Sequence, residues 1–132
     1  MDSRYVNKDV DLKLVGEWAE IFFIKKRFNP IKKVTDEMIQ IISKPKSIHE
    51  IIGLVTVHIS GTPNDFMIKF FSGSRSDAYI KYGRLTSLLG GGLLFLRGIK
   101  SQENERKLEE SFWVYFENQM NFFLEHRNGY KL

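Results

Sequence analysis

Apolar positions along this chain change their spacing three times, and each change predicts an element. In "EWAEIFFIKKRF" (17–28), Trp18/Phe22/Ile24 and Ala19/Ile21/Phe23 fall on alternate positions. Both sets are apolar, which reads as a long strand buried on two faces. A helix competes for the same stretch, because Trp18, Ile21, Phe22 and Lys25 also stand at helical spacing. Asn29-Pro30 ends either element. In "VTDEMIQIISKPKSIHEIIG", Thr35 fits a helix N-cap, with Asp36 and Glu37 in the first turn. Val34 and Ile39 take the positions of a hydrophobic staple, and Met38, Ile39, Ile41 and Ile42 form the buried stripe. Pro45 stops this helix. Ser47 and Glu50 have the spacing of a capping box for a second short helix that runs to Gly53.

After Gly53 the period becomes two. "LVTVHIS" (54–60), "FMIKFF" (66–71) and "AYIKY" (78–82) read as strands, with "GTPND" and "SGSRSD" as turns. "GRLTSLLGGGLLFLRGIK" continues as one or two strands, with Leu93/Phe95 on one face, Leu94/Leu96 on the other and a bend at Gly90-Gly91-Gly92. From Gln102 to Arg127 the period returns to 3.6, with Leu108, Phe112, Phe116, Met120 and Phe123 on one face of a helix roughly 39 Å long. Its acidic cluster (Glu103, Glu105, Glu109, Glu110) suits a helix start. The fold class is therefore α+β: an antiparallel curved sheet, two short helices after the first strand, and a long C-terminal helix. Residues 1–16 form an arm or an extra strand.

Composition refines this picture. At 132 residues the chain is one domain by length. Eleven Phe, five Tyr and two Trp supply either an aromatic core or the wall of an apolar cavity. The absence of cysteine excludes disulfides and thiol chemistry and fits a reducing, cytoplasmic setting. The N-terminal stretch is charged and shows no leader. The uncharged run from Leu85 to Leu96 is shorter than the roughly 20 apolar residues that a membrane helix needs. A net charge of +4 permits an anionic partner without demanding one.

The motifs that carry chemistry mostly exclude it. Phe95 stands where a G-x-G-x-x-G run from Gly90 needs glycine, and no Gly-Lys-Ser/Thr follows. His49, His58 and His126 lie on different elements without metal-ligand spacing, so neither a metal nor a cofactor is expected. Glu17 and Glu20 point to opposite faces of a strand and make no acid–base pair. The densest basic patch, Lys25, Lys26, Arg27, Lys32 and Lys33, suits anionic lipid headgroups, and one neighbouring Phe28 makes no stacking platform for nucleic acid.

The stretch "VTDEMIQIISKPKSIHEIIGLVTVHIS", a capped helix, a Lys-Pro-Lys break, a second helix and a strand, resembles the START-like helix-grip superfamily of the birch pollen allergen, polyketide cyclases and lipid-transfer domains. The order of elements extends the resemblance over about residues 17–127. It implies a curved sheet gripping the C-terminal helix around an apolar cavity that binds lipid-like ligands. The candidate wall is Trp18, Phe22, Phe66, Phe70, Tyr79, Phe95, Phe112, Phe116 and Met120, with Tyr79, Tyr82 and Tyr115 as polar anchors. The leading expectation is non-catalytic binding of a hydrophobic small molecule. The alternatives are a cyclase or hydratase on the same fold, and a nucleic-acid or protein interaction module using the basic patch.

Overall fold

A computed structural model describes the backbone of residues 1–72 and 92–130, and the side chains of residues 1–72 and 100–127. The elements run β1 (Asp2–Val6), α1 (Leu12–Lys25), β2 (Asn29–Val34), β3 (Met38–Lys44), a 3-10 turn (Ser47–His49), β4 (Val55–Thr62), β5 (Asp65–Phe71) and α2 (Gly92–Tyr130). The five strands make one antiparallel sheet in the order β1-β5-β4-β3-β2. Both helices lie on one face of it. The α+β class and the long C-terminal helix are as expected, and so are the strands at 54–60 and 66–71.

The segment 17–28 is helical, so the expected first strand is replaced. The reason lies upstream. The side chain of Asp11 accepts a hydrogen bond from the Lys13 amide at 2.9 Å and starts the helix six residues before the apolar run. From there Val15, Trp18, Ala19, Phe22 and Phe23 bury at helical spacing. Gly16 lets α1 approach the sheet: a Cβ there would stand 3.2 Å from Ile39 Cγ2. The apparent two-faced strand came from Ile21 and Ile24, which are exposed.

The helix ends in a Schellman motif, whose bonds satisfy otherwise orphaned carbonyls. The Phe28 amide donates to the Phe23 carbonyl at 2.9 Å, and the Arg27 amide donates to the Ile24 carbonyl at 3.0 Å. The Phe23 and Phe28 rings sit 5.5 Å apart and supply the accompanying apolar contact. Arg27 holds the left-handed position, φ 67°, that glycine usually takes.

Residues 38–44 are a strand and not the first short helix. Ile39, Ile41 and Ser43 bury while Met38, Gln40 and Ile42 do not, a period of two. Thr35 Oγ1 does accept from the Met38 amide at 3.1 Å, the bond expected of a helix cap. The Thr35 amide, however, donates to the Met38 carbonyl at 2.9 Å and closes the β2–β3 hairpin. The same local chemistry serves a turn when β-branched residues have strands waiting on both sides. Nor is 47–52 a helix. It is one 3-10 turn, closed by the Lys46 amide donating to His49 Nδ1 at 2.8 Å.

The "LLFL" run at 93–96 is likewise no strand, because it lies inside α2. Leucine is a strong helix former and the run has no β-branched residue, so it extends the C-terminal helix backwards. Glu103 to Glu110 therefore lie well inside α2 and not at its start. They bond along the helix surface instead, as in Arg106–Glu110 at 2.6 Å and Lys107–Glu103 at 3.5 Å. The expected strand at 78–82, the glycines Gly90 and Gly91, and Tyr79 and Tyr82 lie outside the described residues.

The core lies between the sheet and the two helices. Phe112 of α2 meets Phe22 at 5.3 Å, Phe70 at 5.2 Å and Phe23 at 6.3 Å between ring centroids. Tyr5 of β1 stacks on Phe66 at 5.3 Å and reaches Phe116 at 5.4 Å. On the far face Gln40, His58 and Lys69 align across three strands. The β2 edge carries Pro30, Lys32 and Lys33, which discourage pairing with another strand.

Two stability measurements test this account. Phe112→Ala should cost about 3–5 kcal/mol in chemical denaturation, because the void is ringed by rigid aromatics. Arg27→Gly should raise stability by up to about 1 kcal/mol by relieving the left-handed strain. A loss of stability in the glycine variant would contradict the role given to that position.

Candidate functional site

Antiparallel packing of α1 against α2 creates a seam with open space along it; another hollow, of about 510 Å³, lies away from it between the 3-10 turn and α2, lined by Lys46, Ser47, Glu50, Ile51, Ile52 and Lys100. On α1 its edge is the stripe Leu14, Trp18, Phe22 and Lys25, spaced by three and four residues. On α2 the facing stripe is Ser111, Tyr115, Asn118 and Phe122. Trp18 meets Phe123 at 5.8 Å and Phe22 meets Tyr115 at 5.4 Å, so the two stripes run past each other.

Two grooves open along the seam. The first, of about 730 Å³, has Phe22, Val114 and Tyr115 on its apolar floor and Lys25, Lys26 and Lys107 on its rim. The second, of about 430 Å³, is walled by Leu14, Trp18, Phe122 and Phe123 and is almost wholly apolar. Val114 is 62% exposed and Phe122 58%, large values for apolar side chains flanking a groove.

The cations at the first groove are held over its aromatic floor. Lys25 Nζ stands 5.8 Å from the Tyr115 ring centroid and Lys26 Nζ 5.9 Å from that of Phe22. Burial pushes the Tyr115 hydroxyl above its ordinary pKa, which keeps it a neutral donor. At the other end of the seam the Arg127 guanidinium lies over Phe123 at 5.4 Å. It donates to the carbonyls of Lys8 and Asp9 at 2.6 and 2.7 Å, tying α2 to the β1–α1 loop.

Seven of the nine expected wall residues have described side chains: Trp18, Phe22, Phe66, Phe70, Phe112, Phe116 and Met120. All seven are buried, and they gather in one cluster. Their rings meet one another across the sheet–helix interface. Only Trp18 and Phe22 among these seven also border the seam grooves. Phe95 lies in α2 by its backbone, with its side chain outside the described set, and Tyr79 lies outside the described residues altogether.

The basic patch divides. Lys25 and Lys26 reach the groove, Arg27 caps the helix, and Lys32 and Lys33 sit on the β2 edge. The α2 residues Lys107, Ser111, Val114 and Asn118 are part of the groove although no motif marks them. Their signal is a second stripe beside the buried one on the same helix.

The histidines are occupied separately. His49 accepts at Nδ1 and bonds the Lys26 carbonyl through Nε2 at 2.7 Å, with its ring 3.9 Å from Phe28. His58 lies on the far face, 3.1 Å from the Gln40 amide, and its pKa is lowered by burial and then by Lys69. His126 bonds the Phe122 carbonyl at 2.8 Å. Among the described residues no metal-binding group of three such side chains converges, and no helix is long and apolar enough to cross a membrane.

On the flank of α2 away from the seam, a polar contact links the helix to β1. The Tyr5 hydroxyl donates to a Glu117 carboxylate oxygen at 2.7 Å. Comparison with protein-family models, curated proteins and solved structures returned no match.

The Tyr5 contact has a pH signature. Burial, then the Glu117 carboxylate, raises the phenol pKa in the folded state above its ordinary 10.0. The unfolded phenol ionises first, so this contribution is complete below pH 10.0 and is lost as pH climbs above it. The stability difference between the native chain and Tyr5→Phe should shrink from pH 9 to about pH 11. Denaturant midpoints at both values check this, and a constant difference would contradict it.

Proposed function

We propose that this chain is a non-catalytic binding module for a small hydrophobic, lipid-like ligand, held in the seam between α1 and α2. The observation that carries the reading is the pair of open grooves floored by aromatic rings continuous with the core. Such sites remove apolar ligand surface from water at roughly 25 cal/mol per Å² without reorganising the fold.

A START-like helix-grip relationship keeps only coarse support, an antiparallel sheet with a long C-terminal helix on one face, because the stretch that carried the resemblance forms β3 and a 3-10 turn where two helices were expected. The ligand's place differs from that expectation. Among the described residues, the space between sheet and helix holds packed rings, and the two grooves of the helix–helix seam lie outside them. A binding role without chemistry is supported by the composition of the grooves. The acid on the wall of the first groove, Glu110, is engaged by Arg106 at 2.6 Å and faces no second carboxylate across it.

A neutral fluorescent probe such as Nile red should bind the purified chain and be displaced by long-chain alcohols. Val114→Glu places a charge on an exposed wall position, so it should preserve the fold and weaken binding about tenfold, or roughly 1.4 kcal/mol. Absence of any probe binding, together with an empty organic extract by mass spectrometry, would remove the proposal.

A further inference from the structure

We infer that the seam runs from a lysine-rimmed end to a mainly apolar end and takes an anionic amphiphile, with its carboxylate or phosphate head at Lys25, Lys26 and Lys107 and its tail toward Trp18. This deepens the hydrophobic-ligand reading and rests on it.

The charge pattern in the first groove is incomplete by itself. Among the described residues, neither Lys25 nor Lys26 has a carboxylate within ion-pair distance. Both ammonium groups are exposed, yet each is drawn over an aromatic ring of the floor. Lys107 has a loose exposed partner, Glu103 at 3.5 Å, a geometry that contributes little. The acid best placed to neutralise these amines, Glu110, is taken by Arg106. Ser111 adds a hydroxyl to the same wall and Asn118 an amide. Three ammonium groups beside a hydroxyl and an amide favour an oxyanion over a neutral head group, because hydrogen bonds between opposite charges are stronger than those an alcohol oxygen accepts.

The direction of the tail follows from the helices. Lys25 and Lys26 lie at the C-terminal end of α1, and Phe22, Trp18 and Leu14 follow turn by turn in the opposite direction. From Lys25 to Leu14 the helix rises about 16 Å. Polarity falls along that path, from a groove rimmed by lysines to one whose surface is mainly Leu14, Trp18, Phe122 and Phe123, with Gln119, His126 and Arg127 at its margin. A linear amphiphile laid in the seam therefore meets three lysine ammonium groups at one end, and at the other apolar rings beside one guanidinium, Arg127, that already donates to the Lys8 and Asp9 carbonyls. A compact sterol-like body would use one groove and leave this gradient idle.

The test compares heads on one tail. Dodecanoate, dodecyl phosphate and dodecanol are titrated against Nile red in low salt near neutral pH, with inorganic phosphate as the tail-free arm and phosphatidylglycerol vesicles as the surface arm. The two anionic amphiphiles should bind at least tenfold more tightly than dodecanol, and the gap should narrow as salt is added. The double variant Lys25→Gln/Lys26→Gln changes exposed side chains and should keep its thermal midpoint. Its affinity ratio for dodecyl phosphate over dodecanol should fall toward one, whatever happens to the absolute affinity for dodecanol. Equal affinity for all three heads would overturn the head-group assignment and leave the hydrophobic site standing. Displacement by inorganic phosphate as effective as by dodecyl phosphate would overturn it as well, because the tail would then count for nothing. Vesicle binding abolished by the double variant, with no displacement by any monomeric amphiphile, would replace it with a membrane-docking surface. Failure of every apolar probe would remove the hydrophobic reading itself.

Discussion

Phe112 is the point at which the three parts of this protein meet. Its ring touches Phe22 and Phe23 on α1, Phe70 on β5, and Phe116 one turn along its own helix. A single side chain thereby sets the distance of α2 from the sheet and from α1 together. Aromatic rings suit this role because they are large, stiff and directional, and edge-to-face contacts hold angle as well as separation. The arrangement positions the seam: with α2 fixed through its buried stripe, the neighbouring stripe from Ser111 to Phe122 is left facing α1 across open space.

Polar contacts lock the same geometry at its ends. Tyr5 holds Glu117 over the β1 edge, and Arg127 clasps the loop that leads into α1. At the other end His49 bridges the close of α1 to the turn before β4, and Asn104 of α2 donates to the His49 carbonyl at 3.3 Å. The helix pair is therefore tied at both ends of its seam while the seam itself stays open. A groove held in this way is preformed, so any ligand it took would meet little of the ordering cost of a mobile site.

How much of this is legible without coordinates depends on the residue. The strands around Val57 and Ile68 were readable, because strict alternation beside a turn has few competing meanings. The stripe from Leu108 to Met120 was readable for the corresponding reason at period 3.6. Trp18 and Phe22 were recognisable as members of an apolar wall, but not as helical, because α1 is apolar around more than half its circumference. Thr35 was misleading in a more instructive way. Its hydroxyl accepts the amide that a helix cap would satisfy, yet the chain reverses into a hairpin. The groove residues of α2 were the least legible, since Val114 and Ser111 carry no motif and gain meaning only from what faces them.

The sequence by itself determined the α+β class, the two strands after Gly53, the long C-terminal helix and an aromatic core assembled from both. These follow from periodicity and composition, which act over a few residues and need no partner. Tertiary structure alone decided that Leu12–Lys25 is a helix, that Met38–Lys44 is a strand, and that open volume lies between the helices. Those outcomes depend on neighbours distant in the chain. Met38–Lys44 is a strand because β2 and β4 flank it, and Lys25 and Lys26 border a groove because α2 returns beside them. Local preference for helix or strand is worth less than about 1 kcal/mol per residue, and burial against a distant partner outweighs it.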